Sequence, residues 1–393
     1  MRVLAITKIF PNVAEPLSAP FNRQQFAALS KLCSLEVLAT LPWFPGAGLL
    51  ARWSSAGKLA RLPRHEQIEG ISVMHPRTLF VPRLAHVTWG PLYAASLAPL
   101  WPRYRGRVDV VLGSWAYPDG FAAIAFAEAL GVPAVVKLHG SDINVMAELP
   151  GPRRLLRWML PRAHAIVAVS RELARKVAEL GVAPERIAVV GNGIDDALFS
   201  PRDRGEARAR CGLSPEGPLA VYVGNLKEEK GVFDLADAFA EVSRRQPSAR
   251  LAIVGGGPAR AELERRLAPL GDRAILAGPR PLPEIPWWMA AADVVTLASW
   301  NEGTPNVLLE ALACGRRVVA TRVGGVPDVV TQAAQGELVD ARAPAALAAA
   351  LGRALTASYD PAAVAASRSG ASWAASAEAL HSVLAAACPS RVS

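Results

Sequence analysis

Short apolar, β-branched runs alternate with longer stretches of helical periodicity along nearly the whole chain, the pattern of βαβ units whose parallel strands are buried on both faces. Two series of strands are predicted. The first covers residues 2–9, 35–39, 71–75, 108–112, 134–138, 165–169 and 186–190; the second covers 219–223, 251–254, 274–276, 293–297, 317–320 and 337–339. Between them, residues 200–218 are rich in Arg, Gly and Pro and break the rhythm. The expected organisation is therefore α/β with two Rossmann-like domains, 1–199 and 200–370, followed by a closing helix at 372–388 in a tail, 371–393, that packs back on the first domain. Ligands of open parallel sheets bind beyond the carboxyl ends of the strands, so the two sheets are expected to face one interdomain cleft, with function in the strand-to-helix loops.

Composition supports this division. A chain of 393 residues exceeds the roughly 250–300 residues at which a single core stops growing. Its 51% hydrophobic and 20% charged content excludes a disordered chain. Cys33, Cys211, Cys314 and Cys388 lie far apart without a C-x-x-C pair, which argues against a disulfide framework or zinc site and fits a reducing compartment. MRVLAITKIF at the start reads as a buried strand rather than a signal peptide, so a cytoplasmic location is expected. Residues 84–102 carry no Asp, Glu, Lys or Arg, yet Pro91 and Pro99 would leave backbone groups that lipid cannot satisfy.

The net charge of +9 changes the picture through its placement. Arg52, Lys58, Arg61, Arg64, Arg77, Arg83, Arg103, Arg105 and Arg107 face only Glu66 and Glu69, with Trp53, Phe80, Trp89, Tyr93, Trp101 and Tyr104 interleaved. Arg153, Arg154, Arg157 and Arg162 surround Trp158 further on. This mixture suits peripheral attachment to an anionic membrane surface, where each cation contributes ~1 kcal/mol; a solvated basic face is the plainer reading. Nucleic acid is not expected as a partner, since no zinc finger, RNA-recognition motif or basic zipper is present.

Candidate chemistry lies mostly in the second half. In ASWNEGTPNVLLEALACG a strand, loop and helix follow one another. Thr304 can cap the helix, Pro305 suits its first turn, and Gly303 lets a ligand approach the backbone. Free amides there favour phosphate. Glu310, one to two turns in, can accept two hydrogen bonds from a ribose diol, or simply solvate a surface helix. VYVGNLKEEKGVFDLADAF places Lys227 and Lys230 near another helix start, where lysine can neutralise a diphosphate. In VGGGPAR, Arg260 occupies the third glycine position of a dinucleotide fingerprint, so NAD is not implied; the turn at Gly255 either leaves room for a base or is purely structural. VVKLHGSDIN puts His139 directly after a strand. No catalytic triad or metal-ligand set is evident, and no cofactor or metal is expected.

The ordered set, comprising PLSAPFNRQQFAALSK, HGSDIN, VVGNGIDDALF, VGNLKEEKG, VGGGP, NEGTPNVLLEALACG, TRVGGVPDVV and GELVD, resembles the family-4 retaining glycosyltransferases, whose two-domain fold is called GT-B. The resemblance implies transfer of a sugar from a nucleotide-diphosphate sugar, carrying UDP or GDP, to a lipid-linked or polysaccharide acceptor without a metal. It implies Glu310 on the ribose; Lys230, Gly303, Thr304, Pro305, Asn306 and Val307 along the diphosphate and sugar; Glu302 and His139 in the catalytic centre; Gly224, Asn225, Gly255, Arg280 and Leu282 around the base; and Phe21, Asn22 and Arg23 in the first loop, toward the acceptor. Many members carry Arg where Asn225 stands, and a Gly-Gly pair where this chain has Ala19, Pro20 and Phe21. The other readings are a non-catalytic sugar-nucleotide-binding subunit and a nucleotide-sugar epimerase or hydrolase on the same fold.

Overall fold

The computed structural model describes residues 1–16, 18–44, 59, 62–80, 86–368 and 372–388. Arg52, Trp53, Lys58, Arg61 and Arg83 of the basic segment, and the start of the 84–102 run, lie outside the described residues. The chain forms two compact units, Met1–Gly193 with Trp373–Ser393, and Ile194–Ser372. The crossing at Gly193 and Ile194 precedes the polar segment 200–218, because Ile194 and Phe199 already belong to the second unit's core.

In the first unit the strands are β1 (Arg2–Thr7), β2 (Ser34–Ala39), β3 (Leu41–Trp43), β4 (His65–Ile68), β5 (Ile71–Met74), β6 (Arg77–Leu79), β7 (Val110–Ser114), β8 (Ala134–Leu138), β9 (Ala165–Ala168) and β10 (Ile187–Val189). Eight of them make one sheet in the order β10-β9-β8-β7-β1-β2-β5-β4, while β3 and β6 pair separately. Within the large sheet only β4 runs antiparallel, against β5. Both faces are covered: Leu4 and Ile6 of β1 enter one apolar cluster, and Val3 and Ala5, pointing the other way, enter a second. Ala377, Leu380 and Leu384 of the C-terminal helix Trp373–Ala387 complete the second cluster beside Phe26 and Leu29.

The second unit has β11 (Leu219–Val223), β12 (Arg250–Val254), β13 (Ala274–Gly278), β14 (Val294–Leu297), β15 (Arg317–Thr321) and β16 (Gly336–Val339), in the order β13-β12-β11-β14-β15-β16 and all parallel. Every predicted strand is present, with ends displaced by about two residues or fewer. The strands β3, β4 and β6 were not predicted. HEQI of β4 is an exposed polar edge, and the three-residue β3 contains Pro42, so neither presents the apolar run of a buried parallel strand. Residues 86–102 fold into short pieces, the longest the nine-residue helix Trp89–Leu97, and no helix among the described residues is long and apolar enough to cross a membrane.

Candidate functional site

In each sheet the strand order reverses once between sequence-distant neighbours, at β1 and β7 in the first unit and at β11 and β14 in the second. Loops leaving the carboxyl ends of such a pair diverge and open a crevice.

In the second unit these are the two loops singled out by sequence. After β11 the chain passes Gly224, Asn225 and Leu226, makes a turn at Glu228–Lys230, and enters the helix Val232–Arg245. After β14 it passes Ser299, Glu302 and Gly303 and enters the helix Asn306–Ala313. The loops join through an ion pair: Lys230 Nζ lies 2.7 Å from Glu302 Oε1, and Ser299 Oγ donates to the same oxygen at 2.6 Å. The Trp300 amide donates to the Glu229 carbonyl at 3.0 Å, and its indole Nε1 to Asp234 at 2.7 Å. Two glycines permit the approach. Gly231 (φ +64°) leaves no space for a side chain, since a Cβ would sit 1.9 Å from the Ala298 oxygen. Gly324 (φ +53°) would put one 1.8 Å from the Glu302 backbone carbonyl oxygen, so the loop after β15 is also part of this junction.

Glu310 lies half-buried in the helix Asn306–Ala313. Burial pushes its carboxyl up to about 7, because the charged form loses hydration and no cation replaces it. A carboxylate so placed can accept hydrogen bonds from a diol. Asn306 and Val307 begin the helix and Pro305 occupies the cap position. The cap position expected for Thr304 is thus taken by Pro305, the last residue of extended backbone before the helix, and Thr304 stands one residue further out.

The outlying candidates divide. The carbonyl of Asn225 accepts the Tyr222 hydroxyl at 3.0 Å, with the Asn225 side chain exposed. Gly255 packs its Cα on the Gly224 carbonyl. Lys227 turns outward to Glu229, 3.6 Å away. Arg280 is exposed over Trp288 with Glu284 3.8 Å away, and Leu282 packs against the core.

In the first unit, His139 follows β8, a neighbour of β7. Its Nε2 is 2.9 Å from Ser114 Oγ at the end of β7, and Ser114 Oγ donates to Asn22 Oδ1 at 3.0 Å. Since the hydroxyl spends its proton on Asn22, the imidazole donates from Nε2 and leaves Nδ1 as an acceptor. The ring lies between Phe21 (centroids 4.9 Å) and Trp115 (5.5 Å). Burial first, and then the charge of Lys137, hold its pKa well below the usual value, so the ring is neutral at physiological pH. Asp142 accepts the amides of Ala116 at 2.8 Å and Gly140 at 2.8 Å, fixing the turn.

Phe21, Asn22 and Arg23 lie in the first turn of the helix Pro20–Leu29 rather than in a loop, because Pro20 begins that helix. Arg23 pairs with Glu69 at 3.3 Å instead of approaching His139. The loops after β1 and β7 border a cavity of about 310 Å³ lined by Lys8, Phe10, Glu15, Thr40, Leu41 and Trp115, among others. Beside it, buried Asp119 binds the Lys8 amide and the Tyr93 hydroxyl at 3.1 Å. Ser114, Trp115 and Ser299 had not been predicted. The signal that could have found them is their position at the ends of the strands where the order reverses.

These two Rossmann-like units, with loops at both reversal points, define the class of GT-B glycosyltransferases. The profile described as Glycosyltransferase Family 4 matches residues 35–198, and that of Glycosyl transferases group 1 matches 217–357. TuaC, a glycosyltransferase assigned to teichuronic acid biosynthesis in Bacillus subtilis, is 29% identical over 331 residues, covering 83% of this chain and 82% of that one. D-inositol 3-phosphate glycosyltransferase 1 of Catenulispora acidiphila is 33% identical over 289 residues, 68% of each chain. Among solved structures, HepE of Anabaena, crystallised with UDP and glucose, superposes with a TM-score of 0.72 at 20% identity, over 98% of this chain and 100% of that one. The chain belongs to the group 1, family 4 glycosyltransferases. It is a hexosyltransferase-type enzyme that takes its sugar from a nucleotide sugar.

Proposed function

We propose that this enzyme moves a hexosyl group from a uridine-diphosphate sugar to a lipid-linked or polysaccharide acceptor, with retention of anomeric configuration and without a metal. The observation that carries the reading is the junction of the second unit's loops, where Lys230 and Glu302 meet at 2.7 Å and Glu310 stands half-buried with its carboxyl raised to about 7. Glu310 takes the ribose diol, and Gly224, Asn225 and Gly255 border the base. Lys230 with the amides of Asn306 and Val307 stabilises the departing diphosphate, and Glu302 orients Lys230. Stabilising charge that develops on the leaving group is the main demand of such a transfer, and this chain meets it with an ammonium and a helix start. Lys227, paired with Glu229, does not replace the Arg that many members carry at position 225, so Lys230 bears the phosphate charge.

His139 meets the transferred sugar, with Nδ1 as an acceptor for a hydroxyl. The uridine assignment is supported by HepE, crystallised with UDP and glucose, and the polymeric acceptor by the teichuronic acid pathway of TuaC. Attachment to an anionic inner membrane face is supported by the helix Pro150–Met159, where Arg153, Arg154 and Arg157 accompany Trp158, which is 55% exposed, and Arg162 stacks on that indole at 4.6 Å.

The test is consumption of nucleotide sugars with and without undecaprenyl-linked and polysaccharide acceptors, in the presence of EDTA, with the product anomer assigned by NMR. Acceptor-dependent turnover with retention, unchanged by EDTA and lost in Glu310→Ala and Lys230→Ala, supports the reading. Donor conversion without any acceptor would favour an epimerase or hydrolase, inversion would overturn the stereochemistry, and intact activity in both variants would overturn the site.

A further inference from the structure

The second unit holds another cavity, of about 410 Å³, lined by Arg202, Arg204, Asp293, Arg316, Ser358 and Tyr359, among others. Asp293 and Arg316 immediately precede β14 and β15, so it opens at the amino-terminal ends of the strands, whereas the donor loops leave the carboxyl ends. The two sites share no residue.

The charges in this cavity do not balance. Asp293 is saturated: Arg204 takes Oδ1, while Arg208 Nη2 and the Leu219 amide each reach Oδ2 at 2.8 Å. Asp203 is used as a helix cap, accepting the Glu206 amide at 2.7 Å. Arg202 and Arg316 have no carboxylate partner among the described residues. Arg202 lies 4.4 Å over the Trp287 ring, with Nη2 on the Leu198 carbonyl at 2.7 Å. Arg316, only 4% exposed, sends Nη2 to the Arg202 carbonyl at 3.2 Å. The Nε atoms of both are buried without an acceptor. A buried guanidinium such as that of Arg316 without its counter-charge is costly; with both Nε atoms closed off, what Arg202 and Arg316 offer the cavity they both line is their uncompensated charge and their remaining Nη donors. Two pre-oriented guanidiniums in one cavity are the chemistry that takes a phosphate group bidentately.

We infer that this cavity is a binding site for a phosphate group, carried by inorganic phosphate or by a phosphorylated sugar, separate from the nucleotide-sugar site. Isothermal titration of the full chain tests it, at constant ionic strength and with saturating UDP so that the donor loops are filled. Inorganic phosphate and glucose 6-phosphate are titrated in separate arms, with chloride as control. The expected result is saturable binding with a Kd at or below about 1 mM, at least tenfold weaker in Arg202→Gln and in Arg316→Gln, while UDP affinity stays unchanged. The tighter of the two arms identifies the source of the phosphate. Arg202 is partly exposed and its replacement leaves the core intact, so it decides the matter if Arg316→Gln fails to fold. Phosphate binding abolished by UDP, equal in Arg202→Gln and the parent, or matched by chloride would overturn the inference.

Discussion

Replacing Glu310 by Gln separates a functional carboxylate from a structural one, because the two roles predict opposite signs. The carboxyl titrates at about 7 in the folded chain against 4.5 for the free group, by burial alone. Between these values the folded chain keeps a proton that the unfolded chain releases, so stability falls as pH rises through the window and stays lowered above it. At ~1.4 kcal/mol per pH unit the full difference is roughly 3 kcal/mol, and residual solvent screening reduces it to about 1–2 kcal/mol. Gln has nearly the same shape and no charge to desolvate. Glu310→Gln should therefore be more stable than the parent by that amount at pH 8 and equal to it near pH 4. Nucleotide binding should move the other way. Losing charge-assisted bonds to a ribose diol costs about 1.5–3 kcal/mol, or roughly 10- to 100-fold in Kd. Denaturant unfolding at the two pH values and titration with UDP read both effects. A variant less stable than the parent at pH 8, or one with unchanged UDP affinity, would refute the assignment.

The other expectations are narrower. Lys230→Met removes the cation beside Glu302, whose side chain is 10% exposed, and leaves it the bond from Ser299; thermal unfolding should show a loss of about 1–3 kcal/mol, and steady-state kinetics a fall in kcat/KM of at least about 100-fold. Gly324→Ala would force a side chain at φ +53° to within 1.8 Å of the Glu302 backbone carbonyl oxygen; the shift of the Glu302 loop should lower turnover and cost about 2 kcal/mol or more in the same unfolding assay. His139, held well below its usual pKa, should show no imidazole titration by NMR between pH 6 and 8. The folded chain then binds fewer protons than the unfolded one below about 6.5, so His139→Gln should remove part of the stability lost on acidification. Arg154→Gln combined with Trp158→Ser should weaken sedimentation with anionic vesicles and leave neutral vesicles unaffected; equal binding to both vesicle types in the parent would exclude the helix Pro150–Met159 as a membrane contact.

How much of this was legible in the sequence depends on whether a residue acts through its neighbours in the chain or through a distant loop. Buried parallel strands such as Val294–Leu297 are solvated on neither face, so an unbroken apolar run signals them. The strand His65–Ile68 has no such run and forms only because Ile71–Met74 offers an edge. Lys137 shows the opposite failure. It sits in AVVKL as though on a polar face, yet it is fully buried, bonded to Gln25, with its pKa lowered to about 7 by desolvation. Its partner Gln25 continues to Ser376 at 2.9 Å, a separation in sequence that no local pattern encodes.

The same distinction explains the candidate site. Glu302, Lys230 and Glu310 were found because family spacing carries them, but the local pattern gave no reason for them to meet. That reason lies in topology: β11 and β14 are neighbours in the sheet, so the loops after them must share a crevice, and Ser299 enters it three residues ahead of Glu302 in the same loop. The two glycines make the contact close, since Gly231 lies against Ala298 and Gly324 against Glu302. A side chain at either position would separate the loops before it altered Lys230, Glu302 or Glu310. In the reading proposed above, Lys230 acts on a diphosphate only while those loops are joined, so that grip would rest on backbone proximity as much as on charge.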